Sequence, residues 1–148
     1  MLICLLLVTI TEGHQNMSNM PRLGIKRAFE NILTQELKAN YIQGAFTTGV
    51  KRKVQVSIPT MQEEYDRVVM QSKLKCTLSI TFEVFSEVSE TGVHQVVYDL
   101  IQVKSNHPLL KEYKIDKIYP SSSFTGYNEE SSDGHVSAQV ILNMEYLM

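Results

Sequence analysis

The chain has 148 residues, 43% hydrophobic and 20% charged, which is enough for one domain with a true core and too few for two large ones. That composition excludes a disordered or fibrous chain. A formal net charge of -2 removes the simple case for nucleic-acid binding, because the basic footprint that would neutralise phosphates is missing.

Leu2 to Ile10 is a continuous apolar run. It has the character of a signal-peptide h-region, but no Lys or Arg precedes it and no clear small-x-small cleavage site follows, so secretion is not the favoured reading. It is also far short of the roughly 20 residues that cross a bilayer, and no membrane association is expected. Asn16-Met17-Ser18 matches a glycosylation sequon, which matters only in a secreted chain. Two readings stay open for this stretch. It is either an extra strand added to a sheet or a neighbouring subunit, or an extension upstream of a start at Met17 or Met20. Residues 1–19 are therefore set apart as an apolar extension from a single domain over 20–148.

Ser18 or Asn19 can cap a first helix that has Pro21 in its opening turn, where a missing N–H is harmless. Ile25, Phe29, Ile32, Leu33 and Leu37 form its apolar stripe, and Gly24 weakens its first turns. Gly44 and Gly49 bracket a turn region. Lys51-Arg52-Lys53 reads as a solvated loop, and Val54, Val56 and Ile58 mark a short strand that Pro59 stops. Residues 60–72 are ambiguous. Thr60 and Glu63 have the spacing of a capping box, and Met61, Tyr65, Val68 and Val69 repeat at helical period. The position between two strands favours a long, partly extended loop.

From Leu74 to Val84 the even positions are apolar (Leu74, Cys76, Leu78, Ile80, Phe82, Val84), with Lys73, Lys75, Thr77, Ser79, Thr81 and Glu83 between them. This alternation predicts a half-buried strand. Cys76 is read as a small buried hydrophobe. Cys4 and Cys76 are too few and too far apart for a disulfide framework or zinc site, which fits a reducing compartment.

Val93, Val96, Val97, Leu100 and Ile101 then form a helical stripe. Ser89 is its N-cap, Glu90 complements the macrodipole and Val88 staples against Val93. The helix is expected to end near Ser105, because Pro108 disfavours helical geometry at His107. Ile115 to Phe124 predicts an edge, bent or bulged strand, since Pro120 removes a ladder donor. After the acidic turn Glu129-Glu130-Ser131-Ser132-Asp133-Gly134, the positions Val136, Ala138, Val140, Leu142, Met144 and Tyr146 alternate again. The chain thus closes with an antiparallel hairpin. Ile141 and Leu147 fall on its wet side, where single apolar residues are ordinary and where a subunit interface is the alternative reading.

Chemistry-bearing motifs are scarce. His14, His94, His107 and His135 have no zinc-ligand spacing, and the acidic turn lacks the EF-hand pattern. There is no G-x-S-x-G elbow, Walker loop or G-x-G-x-x-G. No catalytic, cofactor-binding or metal residue is expected, and Met61, Met70 and Met144 are read as core or interface filler.

The run TLSITFEVFSEVSETGVHQVVYDLIQVKSNHPL, from Thr77 to Leu109, resembles the corresponding strand and helix of the tail terminator proteins of tailed bacteriophages. The rest follows the same plan over roughly residues 20–147: an N-terminal helix, a short strand ending in proline, the long strand, the helix ending near H-P-L, and a final pair of strands around a polar turn. The resemblance rests on element order and hydrophobic pattern, without an invariant catalytic motif. The apolar extension and the length of 60–72 fall outside the plan.

It implies an α+β fold, a mostly antiparallel sheet with two helices packed on one face. It also implies a virion role, with host cytoplasm as the place of assembly. The subunits would form a ring, usually a homohexamer, on the head-proximal end of the tail tube. The ring would stop tube polymerisation and dock the neck or head completion proteins, with genomic DNA only passing through. No cofactor is expected. In such a ring Glu129, Glu130 and Asp133 are candidates for the lumen, and Thr77, Ser79, Thr81, Glu83 and Ile141 for a channel or subunit-facing surface. The alternatives are another head-tail connector or a tail-tube subunit. A small ligand-binding or enzymatic α+β domain is more distant, since it needs a deep pocket with convergent polar groups.

Overall fold

A computed structural model describes residues 21–44, 54–68, 72–127 and 135–148. Five strands form one sheet. In chain order they are β1 (Asn40–Tyr41), β2 (Gln55–Arg67), β3 (Leu74–Ser86), β4 (Lys117–Tyr127) and β5 (Val136–Leu147), and across the sheet they run β1-β2-β3-β5-β4. Every pairing is antiparallel except the two-residue parallel contact of β1 with β2. The helices are α1 (Pro21–Asn31), which continues into a π-helical turn at Ile32–Glu36, and α2 (Glu90–Ile101). The α+β class, the antiparallel sheet and the closing hairpin agree with the sequence expectation.

The two long alternating runs are in register. Leu78 pairs with Met144, Ile80 with Leu142 and Phe82 with Val140, so their apolar sides make one continuous face. Ile25, Phe29, Ile32 and Leu33 of the first helical segment and Val93, Val96, Val97 and Leu100 of α2 are buried with that face in a single core. Phe29 and Phe82 meet there with ring centroids 5.2 Å apart at 59°, a tilted geometry that aromatic quadrupoles favour. Cys76 lies in this core, and burial pushes its thiol pKa up, which keeps it inert.

Residues 60–67 correct the sequence reading. They are neither helix nor loop: β2 runs through Pro59 to Arg67, and Thr60 and Glu63 form no capping box. The cause is a β-bulge. Ser57 pairs with Glu83 and Thr60 with Thr81, so Ile58 and Pro59 together oppose the single residue Phe82. The missing Pro59 N–H therefore falls where the ladder is interrupted anyway. The extra residue also flips the parity of the strand. Val56 is buried on the helix-covered side at an even position, whereas beyond the bulge Met61, Glu63 and Tyr65 take that side at odd positions. Strict alternation is lost, and the remaining apolar spacing imitates a helix.

The same device shapes β4. Pro120 pairs with Leu142 and Ser122 with Ile141, leaving Ser121 as the extra residue. The strand is an edge and bulged, as expected, though it spans Lys117–Tyr127 instead of Ile115 to Phe124.

Helix α2 begins as expected, with the Ser89 side chain accepting from the Gly92 N–H at 3.0 Å. Val88 stays 60% exposed. The approach to the helix is held mainly by the Ser86 hydroxyl, which accepts from the N–H groups of Val88 (3.3 Å) and Ser89 (3.0 Å). The helix stops at Ile101, short of Ser105. A turn takes over, with the His107 N–H bonded to the Lys104 carbonyl at 3.0 Å and the Leu110 N–H to the His107 carbonyl at 2.9 Å. Ser105 and Asn106 favour such turns over helix.

Candidate functional site: an open sheet face and two free edges

Both helices share one side of the sheet, and no described helix lies over the other, which is open except at its β1 end, where Gln55 and Ser57 are buried. Five candidate residues come together on it. Thr77, Ser79, Thr81 and Glu83 project from β3, and Thr81 is paired with Ile141 of β5. The same face carries Gln62 and Glu64 from β2 and Tyr119, Ser122 and Phe124 from β4. Its chemistry is hydroxyl, amide and carboxylate. Ser79 donates to Asn143 Oδ1 at 2.8 Å, and Glu64, Asp66, Glu83 and Glu145 outnumber Lys75 and Lys117. Lys75 Nζ lies 3.7 Å from Glu145 Oε2, a partly exposed pair that contributes little to stability. The acidic turn with Glu129, Glu130 and Asp133 lies outside the described residues.

One corner of this face is apolar. Phe124 is 69% exposed, and Phe85 meets His135 edge-on with ring centroids 5.5 Å apart. Phe85, Phe124 and His135 line an open depression with Glu83 and Gln139. The Phe124 ring lies back along its own strand, 3.5 Å from the place a side chain would occupy at Gly126, an ordinary contact distance. The sequence gives no hint that Phe124 is exposed, since the bulge at Ser121 sets its side.

The edges are the second feature. β1 covers only Gln55 and Val56. From Thr60 to Arg67 no described strand flanks the outer side of β2. β4 is the other outer strand over its whole length. Such edges present rows of backbone donors and acceptors to any second chain.

On the helix side, beyond the core, the Glu63 side chain is only 6% exposed. Its carboxylate accepts from the Tyr146 hydroxyl and, at 2.8 Å, from the Tyr65 hydroxyl, with Arg22 Nη1 3.7 Å away. Burial, and then the bond to Glu63, pushes the Tyr146 pKa well up. The cluster satisfies a charge that would otherwise be costly to bury. Sequence reasoning missed it, having assigned Glu63 to a helix start.

Two histidines also have fixed roles. His107 Nδ1 accepts from the Leu109 N–H at 3.1 Å, so Nε2 carries the proton and donates to Glu36 at 2.8 Å. His94 Nε2 lies 3.2 Å from the Tyr127 hydroxyl, which donates to Glu90 at 2.9 Å and ties β4 to the start of α2. Among the described residues no three His, Cys, Asp or Glu side chains are grouped to hold a metal ion, and no helix is long and apolar enough to cross a membrane.

Among the described residues, the molecule is an α+β domain whose mostly antiparallel sheet has one largely uncovered face and two unpaired outer edges. No protein-family model matches the chain, and no curated protein matches it. Among solved structures it is similar to a chain of the "Virion of native gene transfer agent (GTA) particle", with a TM-score of 0.47 and 8% identity over 87% of this chain and 92% of that one. A likeness this distant identifies neither a family nor a role.

Proposed function

We propose that this chain is a structural subunit of a virion, a tail terminator that assembles as a ring on the head-proximal end of a phage tail tube. The observation that carries the reading is the sheet with its helices on one side and, among the described residues, a polar face on the other and unpaired edges on β4 and the outer half of β2. A heterologous contact between two different edges repeats from copy to copy, and closes into a ring when the rotation allows. The order of elements supports the same role, since helix, bulged strand, long strand, capped helix and closing hairpin follow the tail-terminator plan. The partners are other copies of this chain, the tail-tube protein and a neck or head completion protein, and the ring is a homohexamer.

The role is structural, without a catalytic centre. One ring face binds the last tube ring and the other no longer templates tube addition. The uncovered face, with Thr77, Ser79, Thr81 and Glu83, is a candidate channel wall. Its excess of carboxylates would repel DNA phosphates and keep passing DNA from sticking. Glu129, Glu130 and Asp133 would add to that effect at the lumen.

The second reading, a tail-tube subunit, draws on the same free edges, because a repeating contact that does not close grows into an open stack. Analytical ultracentrifugation tests the assembly. A discrete oligomer that associates with purified tail tubes supports the terminator, and a monomer under all conditions, tubes included, overturns it.

A further inference from the structure

We infer that copies of this chain join edge to edge, the outer edge of β4 in one copy pairing antiparallel with the outer half of β2 in the next. This rests on the assembly reading above and adds to it the surfaces that meet. β2 and β5 run in one direction and β3 and β4 in the other. A second copy that continues the sheet with the same face outward therefore brings its β2 antiparallel to β4, the alternation already present inside each subunit.

The charges select this junction. Glu64 pairs with Thr77, Thr77 with Glu145 and Glu145 with Lys117, so these four residues form one row across the open face. Gln62, Ser79, Asn143 and Tyr119 form the next row. A level junction carries each row into the neighbouring copy. It sets Lys117 beside the neighbour's Glu64, and Tyr119 beside the neighbour's Gln62. Both charged residues are exposed.

The self-matched alternatives are disfavoured. β2 against β2 brings Glu64 and Asp66 toward the same carboxylates of the neighbour, and β4 against β4 does the same with Lys117. Like charges directly opposite each other destabilise a strand pair. The bulges at Pro59 and Pro120 limit the contact further. Pro120 has no N–H to offer, so pairing is centred on Lys117 to Tyr119 and on Gln62 to Glu64. A junction this short holds best when it is repeated around a closed ring.

Charge reversal tests the pairing. Glu64→Lys and Lys117→Glu are made singly and together, and followed by sedimentation velocity with thermal melting as the control for folding. Each single change is expected to raise the concentration needed for assembly about 10-fold, and the double change to restore it. Separately, Glu64→Cys combined with Lys117→Cys is expected to give an oxidation-dependent ladder of covalent oligomers that neither single variant gives. An assembled wild type that ignores both reversals and yields no ladder overturns the edge pairing and leaves the assembly reading standing. A wild type that stays monomeric, with tail tubes present, overturns both.

Discussion

Tyr146 and Glu63, 83 positions apart in sequence, are joined by a hydrogen bond from the tyrosine hydroxyl to the carboxylate. The tyrosine is 2% exposed, so it supplies a buried donor to a carboxylate that is itself almost wholly covered. Removing the donor leaves the Glu63 Oε1 atom without its buried partner, with Tyr65 and Arg22 remaining at Oε2. Tyr146→Phe is expected to cost about 1–3 kcal/mol of stability, while replacing both partners by apolar residues of similar shape costs less than the single change. Urea denaturation of the two variants checks this.

Alkaline pH acts on the same side of the sheet. Burial raises the Tyr113 pKa from 10.0 to about 12, helped by a bond to Glu112, and the Tyr146 pKa rises in the same direction for the reasons above. Above pH 10 the unfolded chain gives up these protons while the folded chain keeps them, so the unfolded state binds fewer protons and stability falls as pH rises. The stabilisation is complete below pH 10, and for Tyr113 it is lost between about pH 10 and 12. Thermal melting across that range should show a decline that Tyr113→Phe and Tyr146→Phe each make shallower.

Gly24 has a packing role that its weak helix propensity hides. A side-chain carbon built there would overlap the Tyr113 hydroxyl and come within 2.6 Å of its ring. Gly24→Ala is expected to lose about 1–3 kcal/mol through overpacking, despite the higher helix propensity of alanine. Tyr113→Ala should remove the penalty, so that adding Gly24→Ala to it is neutral or stabilising in a denaturation series.

How much could be read in advance followed parity. β3 and β5 keep one residue per pleat from end to end, so Leu78, Ile80, Phe82, Val140, Leu142 and Met144 announced a buried face and proved to be one. β2 and β4 each take up an extra residue beside a proline, which breaks the alternation on which strand assignment depends. Ser89 capped its helix by a local rule, whereas the buried Glu63 is explained only by residues far away in sequence. Thr77, Ser79, Thr81, Glu83 and Ile141 share a face because pairing register placed them there.

Phe124 separates folding from assembly. At 69% exposure it contributes little to the isolated fold, and Phe124→Ser is expected to leave stability within about 0.5 kcal/mol. In a contact with a tube or neck protein an exposed aromatic is worth more than about 1 kcal/mol. A variant with unchanged melting and unchanged self-association in sedimentation velocity, but weakened binding to purified tail tubes, is the expected result.

The most direct test of a tail-terminating role is electron microscopy of the purified protein mixed with purified tail tubes. The account predicts discrete closed rings, free in solution and capping one end of each tube, with no further tube growth from the capped end. Long stacks of the protein alone, or tubes whose ends stay bare and continue to grow, would contradict it.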